Sequence, residues 1–217
     1  MSKERGLEDA FKFIAPTSPE IVTELFQTIW QVRQRTLHKK GIDLDLSVVD
    51  CPYTQEQLAQ LEQEGRRVGY LPESLSTQQD RHLLALLWPQ MRGPSVREGN
   101  TVANEVDRYG WFDYDTSINA PHRNITEDEL QTIIESQGRV GMNATEYIIA
   151  SQDSKFLTGQ YLDEVSTYVR LLGSRYGGYV VLARFRFDGC LRVRSPLRIS
   201  RCSANLGGRS VGFPPKI

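Results

Sequence analysis

Residues 179–194 read YVVLARFRFDGCLRVR, and this stretch decides the kind of structure that the C-terminal part of the chain can form. Residues 179–187 are rich in β-branched and aromatic side chains, which favour a strand. Asp188-Gly189 is a strong signal for a hairpin turn. The returning run, which continues irregularly to Ile199, alternates arginine with apolar residues, so a β-hairpin with one apolar face and one arginine face is predicted. The apolar face would consist of Leu191, Val193, Leu197 and Ile199, and the arginine face of Arg192, Arg194 and Arg198.

The N-terminal half of the chain reads as helical. Ser18-Pro19-Glu20 combines an N-cap serine with a proline at the first helical position, and apolar residues then recur at helical spacing to about His38. Each further helix is predicted from a capping residue in front of an apolar run. These starts are the capping boxes 54–57, 76–79 and 126–129 and a cap at Thr145.

We therefore expect an α+β fold in two parts. A helical N-terminal region is placed at residues 1–95, and residues 92–102 are expected to form a linker or an ordered loop. A domain with short antiparallel strands is placed at residues 96–217, with an early strand at 111–115.

Composition places the chain among ordinary globular proteins, since 39% of its 217 residues are hydrophobic. No apolar run approaches the roughly 18 residues that a membrane span needs, and the first residues lack the apolar core of a secretion signal. We therefore expect a cytoplasmic or virion-associated protein unless another export route is used. The chain has three cysteines, and their spacing is not that of metal ligands. Because this number is odd, no disulfide framework is expected.

Charge is distributed very unevenly along the chain. Residues 165–217 hold nine arginines and Lys216 against one acid, Asp188, which gives a net charge of +9. Since the whole chain carries −1, residues 1–164 carry −10. Such an asymmetry indicates a surface for a partner. The alternative is a solvated basic face that binds nothing.

The same C-terminal segment also excludes certain residue types. Lys, Glu, Gln, Met and Trp occur 41 times in the chain, and 40 of these residues lie in positions 1–164. Lys216 is the one exception after Glu164. Physical chemistry does not explain why arginine is accepted at nine positions while lysine, glutamate and glutamine are nearly absent. A rule that acts on codons would explain it.

The sequence offers no convincing catalytic site. His38, His82 and His122 do not lie in motifs with a serine or cysteine nucleophile, and phosphate loops, dinucleotide fingerprints and zinc motifs are absent. Asp113 and Asp115 share one face of a predicted strand, but a calcium site needs roughly six to eight oxygen ligands. We therefore predict that the protein is not an enzyme and has no metal or cofactor.

Arginine and tyrosine are the side chains that indicate a ligand. Arginine presents its donors in a planar fork, and it dominates protein-binding hot spots together with tyrosine. We therefore expect a protein or another acidic macromolecule as the partner. Nucleic acid is the less favoured alternative, because phosphate-binding surfaces commonly use lysine as well as arginine. An enzyme on a related fold and the oligomeric state are left open.

Several motifs of the chain resemble those of known proteins. Tyr70-Leu71-Pro72-Glu73, Leu157-Thr158-Gly159 and Arg170-Leu171-Leu172-Gly173-Ser174 resemble a family of uncharacterised bacterial proteins over most of the chain. The terminal Gly208-Arg209-Ser210-Val211-Gly212-Phe213 is similar to the last strand in the variable proteins of diversity-generating retroelements. That resemblance implies a C-type-lectin-like fold for residues 96–217.

In that family a reverse transcriptase rewrites adenines in a C-terminal repeat. A variable codon of the AAC or AAT type keeps its third base, so it can become Arg, Ser, Tyr, Cys or Gly but not Lys, Glu, Gln, Met or Trp. The depletion after Glu164 matches this restriction. The resemblance further implies a fixed scaffold that includes Leu191, Val193, Leu206, Gly207 and Gly208.

The resemblance and the arginine pattern together predict a ligand-binding surface between about residues 168 and 205. Its function would be to display diversified side chains to a macromolecular ligand. The predicted ligand-binding residues are Tyr168, Arg170, Arg175, Tyr176, Tyr179, Arg184, Arg186, Asp188, Cys190, Arg192, Arg194, Pro196, Arg198, Ser200, Cys202, Ala204 and Asn205.

Overall fold

The computed structural model describes residues 18–164, 166–194 and 202–214 of the chain. This part is an α+β structure with two sheets. Its helices are α1 (Pro19–His38), α2 (Gln55–Gln63), α3 (Arg81–Leu87), α4 (Glu127–Ser136) and α5 (Ala144–Thr158). Its strands are β1 (Arg66–Leu71), β2 (Val102–Asn104), β3 (Gly110–Asp115), β4 (Val140–Gly141), β5 (Tyr168–Tyr176), β6 (Tyr179–Phe185), β7 (Leu191–Arg194), β8 (Leu206–Gly208) and β9 (Ser210–Gly212).

Local capping signals determine where most of the helices begin. Ser18 caps α1, and this helix ends at His38 as predicted. Thr54 and Thr126 each complete the predicted capping box, at the starts of α2 and α4. Their side chains accept hydrogen bonds from amide groups that the first turn of a helix leaves unpaired.

Two predicted helix starts are wrong. Helix α3 begins at Arg81 and not near Ser76, because Ser76 ends a short 3₁₀ helix and its hydroxyl donates back to the Glu73 carbonyl. Helix α5 is capped by Asn143 rather than by Thr145. The Thr145 hydroxyl instead accepts a hydrogen bond from the buried Arg81 guanidinium at 3.2 Å. A long-range contact thus uses the side chain that a local rule assigned to a cap.

The strands form two sheets. One has the order β1-β3-β9-β4 and the other has the order β2-β5-β6-β7, with β8 paired in parallel to β5. The predicted strand 111–115 lies in β3, and the predicted hairpin is β6 and β7. Gly189 adopts a φ of 78° in its turn, a conformation that favours glycine. Strand β1 lies within the region predicted as helical, where the prediction is wrong. This segment is a strand because all of its residues pair with β3.

One hydrophobic core contains residues from both ends of the described chain. It includes Val22 and Trp30 of α1 and Val211 of β9, and it continues on both sides of residue 95. A smaller cluster lies beneath α4, on the opposite face of the second sheet. Its buried members are Leu130, Ile134, Leu172 and Val180.

Buried ion pairs fix the last strand and the segment before it. The Arg209 guanidinium donates to Asp163 at 2.8 Å and to the Ser117 carbonyl at 2.6 Å. Arg139 pairs with Asp113, and both side chains are buried. Removing one partner from such a pair leaves an uncompensated charge in the interior, so these arginines belong to the framework of the fold.

Three other features of the described residues bear on function. No helix among them is both long and apolar enough to cross a membrane. They contain no group of three or more His, Cys, Asp or Glu side chains arranged to hold a metal ion. The three cysteines are free.

Candidate functional site

The hairpin of β6 and β7 turns one face towards the core. Val181, Ala183 and Phe185 of β6 are buried. Leu191 of β7 is buried as well, whereas its neighbour Arg192 is exposed. The predicted alternation is therefore confirmed over the described part of the returning strand. The remaining predicted positions of that strand lie outside the described residues: Leu197, Arg198 and Ile199.

The outer face of the same sheet is covered over part of its area. Helix α4 packs Leu130 and Ile134 against Leu172 and Val180. Gly208 of β8 lies directly under Leu130, and a Cβ atom at this glycine would collide with the leucine side chain. The area under α4, which we name the covered half, is therefore closed to a ligand.

The rest of the outer face carries arginines and one tyrosine. Arg184 of β6 pairs directly with Arg192 of β7. The guanidinium carbons of Arg184 and Arg194 lie 4.6 and 5.2 Å from the centre of the Tyr168 ring on β5. Arg186 is the first residue after β6. The name arginine cluster is used below for Tyr168, Arg184, Arg186, Arg192 and Arg194.

The arginine cluster contains like charges and, within the described part of the chain, unpaired polar groups, which cost stability. Like charges at directly opposite positions on neighbouring strands repel, as in the pair Arg184 and Arg192. Among the described residues, no carboxylate lies within 4.0 Å of the Arg184, Arg192 or Arg194 guanidinium. The Arg184 Nε and the Tyr168 hydroxyl are buried and have no hydrogen-bond partner within the same ranges. Buried polar groups without a partner are rare in native proteins and cost free energy.

The arginine cluster borders an open pocket of about 410 Å³. Its described lining residues are Glu164, Arg184, Arg186, Phe187 and Arg192. Phe187 is 73% exposed. Glu164 Oε2 accepts a hydrogen bond from the Tyr161 amide at 2.7 Å and lies 3.7 Å from Lys155 Nζ. The pocket thus combines three cations, one exposed aromatic ring and one carboxylate.

Five further predicted residues lie in loops of the described chain. They are Cys202, Ala204 and Asn205, near β8, and Asp188 and Cys190, in the turn between β6 and β7. The Asn205 carbonyl accepts a hydrogen bond from the Tyr168 amide at 2.8 Å, which holds the loop beside the cluster. Asp188 lies 3.5 Å from an Arg186 nitrogen. Three predicted residues lie outside the described ranges: Pro196, Arg198 and Ser200.

Arg170 and Arg175 do not join the arginine cluster. Arg170 is 1% exposed and donates to the Ile125 carbonyl at 2.9 Å, and burial lowers the pKa of its guanidinium. Arg175 pairs with Glu105 at 2.7 Å and with Glu127 at 3.3 Å. Both arginines tie the sheet to its neighbours. They were predicted to bind a ligand because they lie in the basic segment 168–205, and the sequence of that segment does not reveal which part of a sheet a helix covers.

Tyr176 and Tyr179 lie at the far end of the β5–β6 hairpin from the arginine cluster. They pair with each other beside the Gly177-Gly178 turn, whereas Tyr168 begins the nine-residue strand β5. Tyr179 is 53% exposed. The predicted surface is therefore divided into two separate patches, and the arginines are concentrated in one of them.

Two residues of the pocket were not predicted from the sequence. Phe187 continues the alternation of β6, so its aromatic side chain was read as part of a strand. The Gly189 amide donates to the Arg186 carbonyl at 2.9 Å, so Phe187 lies within the turn and leaves the sheet. Glu164 lies before residue 168, where the predicted ligand-binding surface begins, and no signal in the sequence identified it.

The chain matches no protein-family model, no curated protein and no solved structure. Function is therefore inferred from the chemistry of the arginine cluster. Guanidinium groups next to an exposed aromatic ring suit an anionic and partly apolar ligand. The single carboxylate of the described lining is already engaged by an amide and a lysine.

Proposed function

We propose that this protein is a ligand-binding protein that displays the arginine cluster to a macromolecular ligand. One observation carries the proposal: α4 covers part of a sheet face, and the rest is left open with three arginines that lack carboxylate partners among the described residues. The ligand is a protein or another acidic macromolecule, because complementary charge steers association and selects partners. No catalytic role is proposed.

The surface lies on a packed framework, which favours binding. The cluster lies on strands whose inward side chains are buried, and the guanidiniums of Arg184 and Arg194 stack against Tyr168. Ordering loose side chains on association costs free energy, so a surface that is already ordered binds more tightly for the same contacts.

We further propose that a retroelement diversifies this surface, on a C-type-lectin-like scaffold. The absence of Lys, Glu, Gln, Met and Trp between Val165 and Pro215 supports the proposal, because variable codons of the AAC and AAT type cannot give them. Outward positions on a packed sheet tolerate substitution at small cost in stability. The arginine cluster consists of such positions.

Sequencing the gene from many members of one population tests the diversification. Variation is expected at Tyr168, Arg184 and Arg192, and constancy is expected at Arg170 and Arg209. A near-copy of the 3′ end beside a reverse transcriptase gene would support the same conclusion. Variation spread evenly along the chain, or equal at both groups of positions, would contradict it.

Nucleic-acid binding is a second candidate, favoured by the arginines without carboxylate partners. It predicts affinity for a single-stranded oligonucleotide that falls steeply as salt is added. Two features count against it. The Tyr168 ring is in contact with Arg184 and Arg194, so it is not free to stack on a base. Residues 165–215 contain no lysine, which phosphate-binding surfaces commonly use as well as arginine. Undetectable binding at low salt would eliminate this candidate.

A further inference from the structure

We infer that the arginine cluster binds a carboxylate of an acidic peptide segment, with an apolar side chain of the same segment beside it. The inference rests on the proposed ligand-binding function and names the class of ligand. Its basis is the combination of an arginine pair, an exposed phenylalanine and a glutamate in one pocket.

The arginine pair forms the anion subsite. Directly opposed residues on antiparallel strands have Cα atoms about 4.5–5.5 Å apart, so the forks of Arg184 and Arg192 can converge on one carboxylate. Arg192 is exposed and Arg184 is partly exposed, so a ligand can reach both side chains from solvent.

Phe187 forms the apolar subsite. With 73% of its surface exposed, it is the most exposed large hydrophobic side chain in the described part of the chain. It lines the same pocket as Arg184 and Arg192. A ligand that places an apolar group next to its anion would bury this ring and remove apolar surface from water.

Glu164 makes a peptide a better match than a phosphate polymer. Its Oε2 is engaged by the Tyr161 amide and lies near Lys155, whereas Oε1 has no hydrogen-bond partner among the described residues. A peptide carries amide N–H groups that can donate a hydrogen bond to Oε1. The phosphodiester backbone of DNA offers no such donor. Donors and an acceptor in one pocket thus fit an acidic side chain together with the main chain beside it.

Selection from a phage-displayed random dodecapeptide library on the full chain tests the inference. The Arg184→Gln, Arg192→Gln double variant serves as the counter-target. Enriched peptides are expected to carry Asp or Glu next to an aromatic or large aliphatic residue. Enrichment of peptides without acidic residues, or no enrichment at all, would overturn the inference. Population sequencing of the gene tests the proposed diversification separately.

A synthetic copy of the most enriched peptide allows a quantitative test by fluorescence anisotropy. Replacing its acidic residues by amides, or changing Arg192→Gln in the protein, is expected to weaken binding about tenfold, as for one lost charge-assisted hydrogen bond. Phe187→Ala is expected to weaken binding of the same peptide as well. Arg35→Gln removes an exposed arginine of α1, which contributes no residue to the pocket, and leaves Kd unchanged.

Unchanged thermal unfolding of the variants shows that any loss of affinity is not a loss of structure. Equal affinity of the Arg192→Gln and Arg35→Gln proteins for the peptide would overturn the assignment of the anion subsite. Equal affinity for the acidic peptide and its amide form would overturn the assignment of the ligand class. Neither result would affect the diversification expected in the gene.

Discussion

The covered half and the open half of one sheet face use the same residue type in different ways. In the covered half, Arg170 is buried against the Ile125 carbonyl, and Arg175 pairs with two glutamates. In the open half, Arg184 and Arg192 oppose each other without a carboxylate partner among the described residues. The difference teaches that the role of an arginine follows from its partners and not from its place in an alternating pattern.

The same distinction revises the meaning of the charge asymmetry. Residues 165–217 carry +9, which suggests a strongly basic surface. Arg209 is buried against Asp163, and Arg170 and Arg175 are also engaged by the fold. The charge available to a ligand is therefore smaller than the count, and among the described residues it is concentrated in the arginine cluster.

The largest effect is expected from breaking a framework arginine. Arg209→Gln leaves Asp163 buried without its partner, which should cost about 3–5 kcal/mol of unfolding free energy. Urea unfolding followed by circular dichroism measures this loss. Arg192→Gln is the matched control and should change the unfolding free energy by less than about 0.5 kcal/mol. Similar losses in the two variants would remove the distinction between framework and cluster.

Opening the covered half is expected to have the next largest effect. Leu130 of α4 is fully buried against the sheet, so Leu130→Ala should lower the unfolding free energy by about 2–5 kcal/mol. The matched control is Phe187→Ala, since Phe187 is the exposed apolar side chain of the open half. Its change should stay within about 0.5 kcal/mol. A Leu130→Ala protein as stable as the Phe187→Ala protein would show that α4 does not close the sheet.

A partly exposed arginine of the covered half should have an intermediate effect. Arg175→Gln removes two half-exposed ion pairs, with Glu105 and Glu127, which contribute about 0.2–1 kcal/mol each. The difference from the unaltered protein should shrink as salt is added, because ions screen exposed pairs. Thermal unfolding at low and high salt measures both effects. A loss above about 2 kcal/mol that does not depend on salt would place Arg175 with the buried pairs.

The smallest effect is expected in the arginine cluster itself. Arg192→Ser removes one member of the opposed pair with Arg184, so stability should be unchanged or should rise by a few tenths of a kcal/mol. A double-mutant cycle with Arg184→Ser isolates the repulsion between the two side chains. An attractive coupling between them would mean that the pair is held by a contact that serves the fold.

Local signals in the sequence predicted the local structure of the chain. The capping boxes at Thr54 and Thr126 and the turn at Asp188-Gly189 depend on hydrogen bonds between residues close in sequence. Strands β1 and β8 were not predicted, because each is defined by pairing with a distant segment. Strand β5 was not predicted either, although it pairs with β6 across the adjacent Gly177-Gly178 turn. Asn143 and Thr145 show the same limit, since a contact with Arg81 decides which of the two side chains is free to cap α5.

The candidate site was predictable in its chemistry and not in its extent. Alternation alone identified Arg192 and Arg194 as outward residues, because one face of the hairpin had to be apolar. The limits of the site depend on where α4 lies. Arg170 and Arg175 lie in the covered half. Phe187 was missed because a strand pattern does not report where the chain leaves the sheet.

A scan of every single substitution over 168–194 and 202–212, measured as the amount of folded protein in cells, tests the central claim most directly. The central claim is that the arginine cluster is displayed on a framework that does not need it. The predicted result is broad tolerance at Tyr168, Arg184 and Arg192 and strong intolerance at Arg209. Equal intolerance at both groups of positions would contradict the claim, because the cluster would then be part of the fold.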